Sequence, residues 1–297
     1  MAVRFDACVI GHLACDINTI AGVEYGPSPG GAAYYSTMVY RGLGMRTAVV
    51  TKVAERDRSL LSELEDAGVE VFNLPSTTTT TFRNDYPVAD DPDVRIQRVD
   101  ARSGMIAVAA LPDIRARIWQ IGPLTSDDVE LGMIGHCARL GGLVGLDVQG
   151  LTRVVVGGKV GASTPAAPID YLRDLDALKA DEAEILTYTG SDSIQQAVAR
   201  VHSAGAREIL ITYGSAGATL YGPDPAISIA AIPPRRTVDA TGCGDTFLAA
   251  YLARRLTSDD LRDCGEFAAA AAAINIETRG AFRGAAADIA ARRASPT

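Results

Sequence analysis

The chain has 297 residues, of which 47% are hydrophobic and 22% charged; these are the proportions of an ordinary globular protein and exclude a disordered tail, a collagen-like repeat and a disulfide scaffold. A formal net charge of −8 argues against general binding to nucleic acid or to an anionic membrane, since both need a basic footprint. Five cysteines (Cys8, Cys15, Cys137, Cys243, Cys264) lack paired spacing, which leaves neither a zinc ribbon nor a disulfide framework.

Short β-branched runs alternate with helical patterns along most of the chain. Ala7–Ile10 reads as a first buried strand ending at Gly11, followed by a Gly- and Pro-rich loop, Gly26 to Gly31, and a helix from Ala32 to Leu43 closed by Gly44. A second strand is predicted at Thr47–Val53, a helix at Ser59–Ala67 ending at Gly68, and a third strand at Val69–Leu74. Residues 76–102 break the rhythm: two strand-like arms, Thr77–Tyr86 and Val94–Val99, flank a polar Ala-Asp-Asp-Pro-Asp turn. A Thr run has high β-propensity and little core-forming bulk, so the expectation is an inserted β hairpin, with part of 15–31 adding to it. Such a hairpin is either a lid or a surface through which a homodimer forms.

Later strands are expected at Ile118–Ile121, Leu143–Val148, Ala177–Lys179, Ile209–Tyr213 and Ala218–Tyr221, with helices between them and an Ala-rich helix at Glu266–Ile276. This alternation predicts one α/β domain over 1–297: a mostly parallel central sheet sandwiched by helices, with a small β lid. The N-terminus lacks a basic stretch followed by a long apolar core, and the longest apolar run, Phe267 to Ile274, is too short to span a bilayer. A cytoplasmic protein with no membrane partner is therefore expected.

The most informative stretch is Thr237–Leu252, in which Thr241-Gly242-Cys243-Gly244 runs directly into an apolar helical pattern. Free backbone N–H groups and the positive helix end then converge on one spot suited to an anion. Asp245 lies beside it. A carboxylate there repels phosphate unless it has work to do, such as accepting a proton from an attacking hydroxyl. It is also an ordinary first-turn acid favoured by the helix dipole, and chemistry alone leaves both readings open. Cys243 has two readings as well: a thiol of lowered pKa inside the anion hole, or a small inward hydrophobe.

Asp239-Ala240-Thr241-Gly242-Cys243-Gly244-Asp245 resembles the C-terminal signature of the ribokinase-type (PfkB) sugar kinases, with Ala240 and Cys243 departing from the usual residues. Val9-Ile10-Gly11 with Asp16, then Pro29-Gly30-Gly31, resembles the family's sugar-binding strand and Gly-Gly turn, although Tyr35 stands where an Asn is usual. Lys179-Ala180-Asp181-Glu182-Ala183-Glu184 is similar to its metal and phosphate motif, and Thr212-Tyr213-Gly214-Ser215-Ala216-Gly217 to its nucleotide loop. A finer resemblance, to the myo-inositol kinase branch, rests on Val9-Ile10-Gly11-His12, Gly31-Ala32-Ala33-Tyr34-Tyr35, the Thr77–Thr81 run and Asp147-Val148-Gln149-Gly150.

The resemblance implies a ribokinase-like fold and phosphoryl transfer from ATP or another nucleoside triphosphate, with Mg²⁺, to a hydroxyl of a small polyol or sugar. It implies that Asp245 is the base and that Gly242, Cys243 and Gly244 supply the anion-hole backbone. Asp16, Gly30, Gly31, Tyr35, Gln149 and Arg153 would then meet the acceptor, and Thr212, Gly214 and Gly217 the nucleotide. Asp181 and Glu184 would orient Mg²⁺ through water; Asp239 and Thr241 resemble a site for K⁺. Ala269 replaces the Asn that often contacts adenine. A nucleoside or ketose kinase of the same fold, and a non-catalytic ligand sensor, are the alternatives. Arg83, Arg98 and Arg102 place positive charge on the hairpin, as solvated surface or for contact with phosphate or substrate. No G-x-x-x-x-G-K-[ST] occurs, so the chain is not a P-loop enzyme.

Overall fold

The computed structural model describes residues 3–20, 22–86, 96–165 and 169–295. Its strands and helices are, in chain order, β1 (Val3–Ile10), β2 (Ala14–Ile20), β3 (Val23–Gly30), α1 (Ala32–Gly42), β4 (Thr47–Thr51), α2 (Ser62–Asp66), β5 (Glu70–Asn73), β6 (Thr81–Tyr86) and β7 (Ile96–Ala101). There follow β8 (Ile114–Ile121), α3 (Gly132–Leu140), β9 (Leu143–Asp147), β10 (Arg153–Val156), β11 (Lys159–Ala162), β12 (Ala177–Asp181), α4 (Glu182–Thr189), α5 (Ile194–Ser203) and β13 (Glu208–Thr212). The chain ends with β14 (Ala218–Tyr221), β15 (Ile227–Ile229), α6 (Cys243–Arg255), α7 (Leu261–Asn275) and α8 (Ala286–Ala294). Among the described residues no helix is long and apolar enough to cross a membrane.

A nine-stranded sheet, ordered β15-β14-β13-β12-β9-β8-β1-β4-β5, forms the centre. The β13–β14 and β14–β15 pairings are antiparallel; the rest is the expected parallel α/β sheet. Parallel strands covered on both faces must be apolar on both, and β1 shows the division. Ala7 and Val9 enter the core under α1, α6 and α7, whereas Cys8 and Ile10 enter the core under α3, α4 and α5. The expected helix at Ser59–Ala67 is instead a 3₁₀ stretch, Glu55–Leu61, continued by the short α2. Thr79 ties down its start: the Ala54 amide donates to Thr79 Oγ1, whose hydroxyl donates to Asp57 Oδ2 at 2.6 Å. Tight i→i+3 turns are common at such constrained helix starts.

The expected hairpin lies outside this sheet, in a six-stranded one ordered β10-β11-β7-β6-β2-β3. β2 and β3 join it, as expected for part of 15–31, and Gly26–Gly30, expected as loop, belongs to β3. Two details differ from expectation. Thr77–Thr80 are not strand: Thr78 Oγ1 donates to the Arg102 carbonyl, and the Thr80 amide donates to Ser103 Oγ, so these hydroxyls pin the two connections to the core. The hairpin β10–β11 was not anticipated, although its signal is plain: Val154-Val155-Val156, then Gly157 and Gly158, both at positive φ, the geometry of a two-residue hairpin turn. Phe82 and Val99 pack with Ala14 and Leu124 in a small core of their own, while Ile96 is exposed. The polar turn between the arms, at 89–93, lies outside the described residues.

Candidate active site

The loop before α6 delivers its glycines where side chains have no room. Gly242, the N-cap of α6, takes φ +76°, and a Cβ there would run into the Tyr35 ring. Gly244 is equally crowded, since a Cβ would stand 2.8 Å from Lys179 Nζ. The Cys243 amide donates to the Ala240 carbonyl at 3.2 Å, so it is not a free member of an anion hole. The Gly244 and Asp245 amides, in the first turn, lack intrahelical acceptors as at any helix start.

Below this turn the C-terminal ends of β9 and β12 bring buried charges together. Asp147 and Lys179 are paired positions of neighbouring parallel strands, and Lys179 Nζ lies 3.0 Å from Asp147 Oδ2 and 3.6 Å from Glu184 Oε2. Burial works against the ammonium charge, yet Asp147, Glu184 and Asp245 more than offset it and hold the Lys179 pKa above the ordinary lysine value. Asp245 is pushed up to about 7, first by burial and then by Asp147, with Lys179 and Arg153 pulling the other way. A carboxyl poised near neutrality beside a helix start can accept a proton.

The acceptor side is built from β2, the end of β3 and α1. A Cβ on Gly30 would collide with the Asp16 carboxylate, and one on Gly31, at φ +81°, would meet the His12 carbonyl at 2.7 Å. Tyr35 is buried, and burial, Asp16, Asp239 and Asp245 all raise its pKa, so it stands among three carboxylates. On the same face of the six-stranded sheet as Asp16 runs a ladder of amides: Asn84 Nδ2 donates to Asn18 Oδ1 at 3.0 Å and Gln97 Nε2 to Asn84 Oδ1 at 2.8 Å. Sequence reading missed this ladder and Lys179.

His12 is fully buried, with Nδ1 3.0 Å from Thr80 Oγ1 and 3.5 Å from Asp128 Oδ1, so it braces the strand connections. Arg102 makes two 2.6 Å hydrogen bonds to Asp127, and Arg83 pairs with Asp100 and Glu24. These two hairpin arginines are thus committed locally.

Asp181 and Glu184 form a reciprocal capping box at the start of α4. Glu184 is buried, accepts from the Asp181 amide at 2.7 Å and from Gln149 Nε2 at 2.9 Å, and has a lowered pKa: burial opposes the charge, but Lys179 and these hydrogen bonds prevail. Neither acid is simply solvated: each Glu184 oxygen accepts one hydrogen bond, and Asp181 Oδ1 accepts from the Glu184 amide at 2.7 Å. No group of three or more His, Cys, Asp or Glu among the described residues is arranged to hold a metal ion. Thr212 is the register partner of Asp181, and Gly214 and Gly217, both at positive φ, turn the chain into β14.

Asp239 Oδ1 accepts from the Thr241 amide, whose carbonyl accepts from Asn275 Nδ2. The Asn275 Oδ1 has no partner among the described residues although the residue is fully buried. The Cys243 thiol turns inward, 3.8 Å from the Ala272 carbonyl and 3.6 Å from Asn275 Nδ2. Burial raises its pKa, which favours the small inward hydrophobe of the two readings.

Comparison with known proteins agrees with this fold. Residues 158–287 match the pfkB family of carbohydrate kinases. A ribokinase of Arabidopsis thaliana is 36% identical over 130 residues, a match covering 41% of this chain but only 34% of that protein. A cytidine kinase of Thermococcus kodakarensis is 26% identical over 278 residues, covering 87% of this chain and 91% of the relative. A pyrophosphate-dependent kinase in the ribokinase family, solved with a pyrophosphate analog and myo-inositol, superposes with a TM-score of 0.84 at 26% identity, covering 96% of this chain and 99% of that one. Residues 158–287 are thus a PfkB carbohydrate kinase family domain, and nearly the whole chain shares the ribokinase-like fold of these kinases.

Proposed function

We propose that the protein transfers a phosphoryl group from a phosphoric anhydride, ATP or inorganic pyrophosphate, to a hydroxyl of a small polyol or sugar, with myo-inositol the first choice. The observation that carries the reading is Asp245: a carboxyl with a pKa of about 7 beside the first-turn amides of α6 and above the Lys179 charge. In the reaction Asp245 takes the proton of the attacking hydroxyl, whose oxygen forms a bond to the terminal phosphorus as the bond to the leaving group, ADP or phosphate, breaks. The first-turn amides and Arg153 face the charge that spreads over the transferring oxygens. Such a transition state asks for positioning and electrostatic stabilisation more than covalent help.

Asp16 with Gly30, Gly31 and Tyr35 forms the acceptor side. The Asn18, Asn84 and Gln97 amides offer the mixed donors and acceptors that a ring of hydroxyls requires, which favours a polyol. The six-stranded sheet acts as the lid. Thr212, Gly214 and Gly217 lie on the donor side, and a divalent metal arriving with the donor meets Asp181 and Glu184 through water, because Mg²⁺ gives up its hydration shell reluctantly. Mg²⁺, when bound, supplies charge neutralisation of the donor phosphates. The unpartnered Asn275 Oδ1, next to Asp239 and Thr241, suits an oxygen-coordinated monovalent cation.

A nucleoside acceptor is the second reading, supported by the full-length likeness to a cytidine kinase. Phosphorylation assays pairing polyols, sugars and nucleosides with ATP, other nucleoside triphosphates and pyrophosphate separate the readings. Turnover of myo-inositol or a related polyol supports the first, activity confined to nucleosides replaces it with the second, and no turnover with any pair overturns both.

A further inference from the structure

At the opposite end of the nine-stranded sheet from Asp245, where the central strands β1, β8 and β9 begin, lies an open cleft of about 660 Å³. Four arginines line it, Arg4, Arg46, Arg115 and Arg117, with Asp6 the one acidic side chain among them. Strand register produces the cluster. Arg4 pairs directly with Arg115 across β1 and β8, and Asp6 and Arg117, two positions further along each strand, share that face. Arg46 enters from the other side of β1, its amide donating to Asp6 Oδ2 at 2.9 Å. Like charges on paired strand positions repel. This concentration of positive charge also occurs in a chain of net charge −8, so composition does not account for it.

Neighbouring carboxylates leave much of the charge unanswered. Arg117 reaches Asp6 at 3.4 Å and Arg115 reaches Asp113 at 3.3 Å, with the two arginine side chains 59% and 39% exposed. Pairs this open to solvent contribute little. Arg46 lies over the Phe5 ring, 4.9 Å from its centroid, an arrangement that orients the guanidinium and leaves its N–H donors available. The Arg4 side chain has no hydrogen bond or ion pair among the described residues.

We propose that this cleft binds a small molecule bearing a phosphate or diphosphate group, at a site separate from the one around Asp245. Guanidinium forks match phosphate oxygens in geometry and keep their charge at every physiological pH. The volume suits a nucleoside diphosphate or a sugar phosphate, and Leu256 supplies an apolar wall for the ring.

Calorimetric titration of the full chain with inorganic pyrophosphate, ADP and a hexose 6-phosphate tests the site, with sulfate as the control anion. Wild type should bind at least one of the three at two sites per chain. The Arg4→Gln/Arg115→Gln variant should lose one of them, binding there at least tenfold more weakly, while phosphoryl transfer is kept. The tighter of the anhydride and monoester arms names the ligand class. If the double variant fails to fold, Arg117→Gln at an exposed position carries the same comparison. Unchanged stoichiometry and affinity in the variants, or a wild-type signal that sulfate reproduces in full, overturns the proposal.

Discussion

Lys179 lies directly beneath Gly244, so close that a Cβ on the glycine would stand 2.8 Å from the ammonium nitrogen. The buried cation is thereby held under the first turn of α6, where it acts on Asp245 while Asp147 and Glu184 keep it charged. Glycine at this position makes room for a charge from the sheet as well as for a ligand from outside.

Replacing Asp245 with Asn keeps the shape of the first turn and removes the proton acceptor. The variant should fold and bind donor normally while turnover falls about 10²–10⁴-fold, the usual worth of general-base catalysis. Steady-state rates with the best acceptor decide this, and a variant keeping more than a tenth of wild-type turnover would refute the assignment of Asp245 as base.

The pH dependence follows from the same carboxyl, which titrates at about 7 in the folded protein against 3.8 for an ordinary aspartate. Activity needs it ionised, so kcat/KM should fall with unit slope below about pH 7. Stability runs in the opposite direction. Because the folded state holds a proton that the unfolded chain has released, the contribution of Asp245 is complete below about 3.8 and lost as the pH rises through about 7. The melting temperature of Asp245→Asn, relative to wild type, should therefore rise between these limits; a constant difference across them would contradict the raised pKa.

Lys179→Met leaves Asp147 and Glu184 buried without their cation. Breaking one side of a buried ion pair typically costs about 3–5 kcal/mol, readable as a lower denaturant midpoint. Because Lys179 lowers the Asp245 pKa, the acid limb of any remaining activity should also move to higher pH. Loss of activity with the limb unmoved would reduce Lys179 to a packing role.

Several of these parts were legible in the chain before any coordinates. Alternation of β-branched runs with helical patterns placed the parallel strands within a few residues, because strands buried on both faces must be continuously apolar. Gly242 and Asp245 stand out because a glycine-rich turn feeding a helix has few physical purposes, whereas Asp16 and Gly30 are marked only by the family resemblance. Lys179 does not stand out, because one lysine in an apolar run announces nothing until register sets it beside Asp147. The Asn18, Asn84 and Gln97 ladder was hidden for the same reason: its members are far apart in the chain and meet only through cross-strand pairing.

Cys243 was open between two readings, and the inward thiol gives a direct test. With its sulfur against the Ala272 carbonyl and its pKa raised by burial, brief alkylation should label it slowly, with or without donor present. Cys243→Ala should retain near-normal activity. Fast labelling that bound donor suppresses would instead place the sulfur in the phosphate path.

The six-stranded sheet is drawn from three stretches of chain, 14–30, 81–101 and 153–162, with strands of the main sheet interleaved between them. No single excision removes it, and no single transplant moves it from one relative to another, because each stretch would have to be exchanged at both its ends together. Its assembly is similarly bound to the whole. Residues 159–162 must exist before β7 gains its second neighbour, so the sheet closes only after more than half the chain has been made, as sequence-distant pairings generally form late.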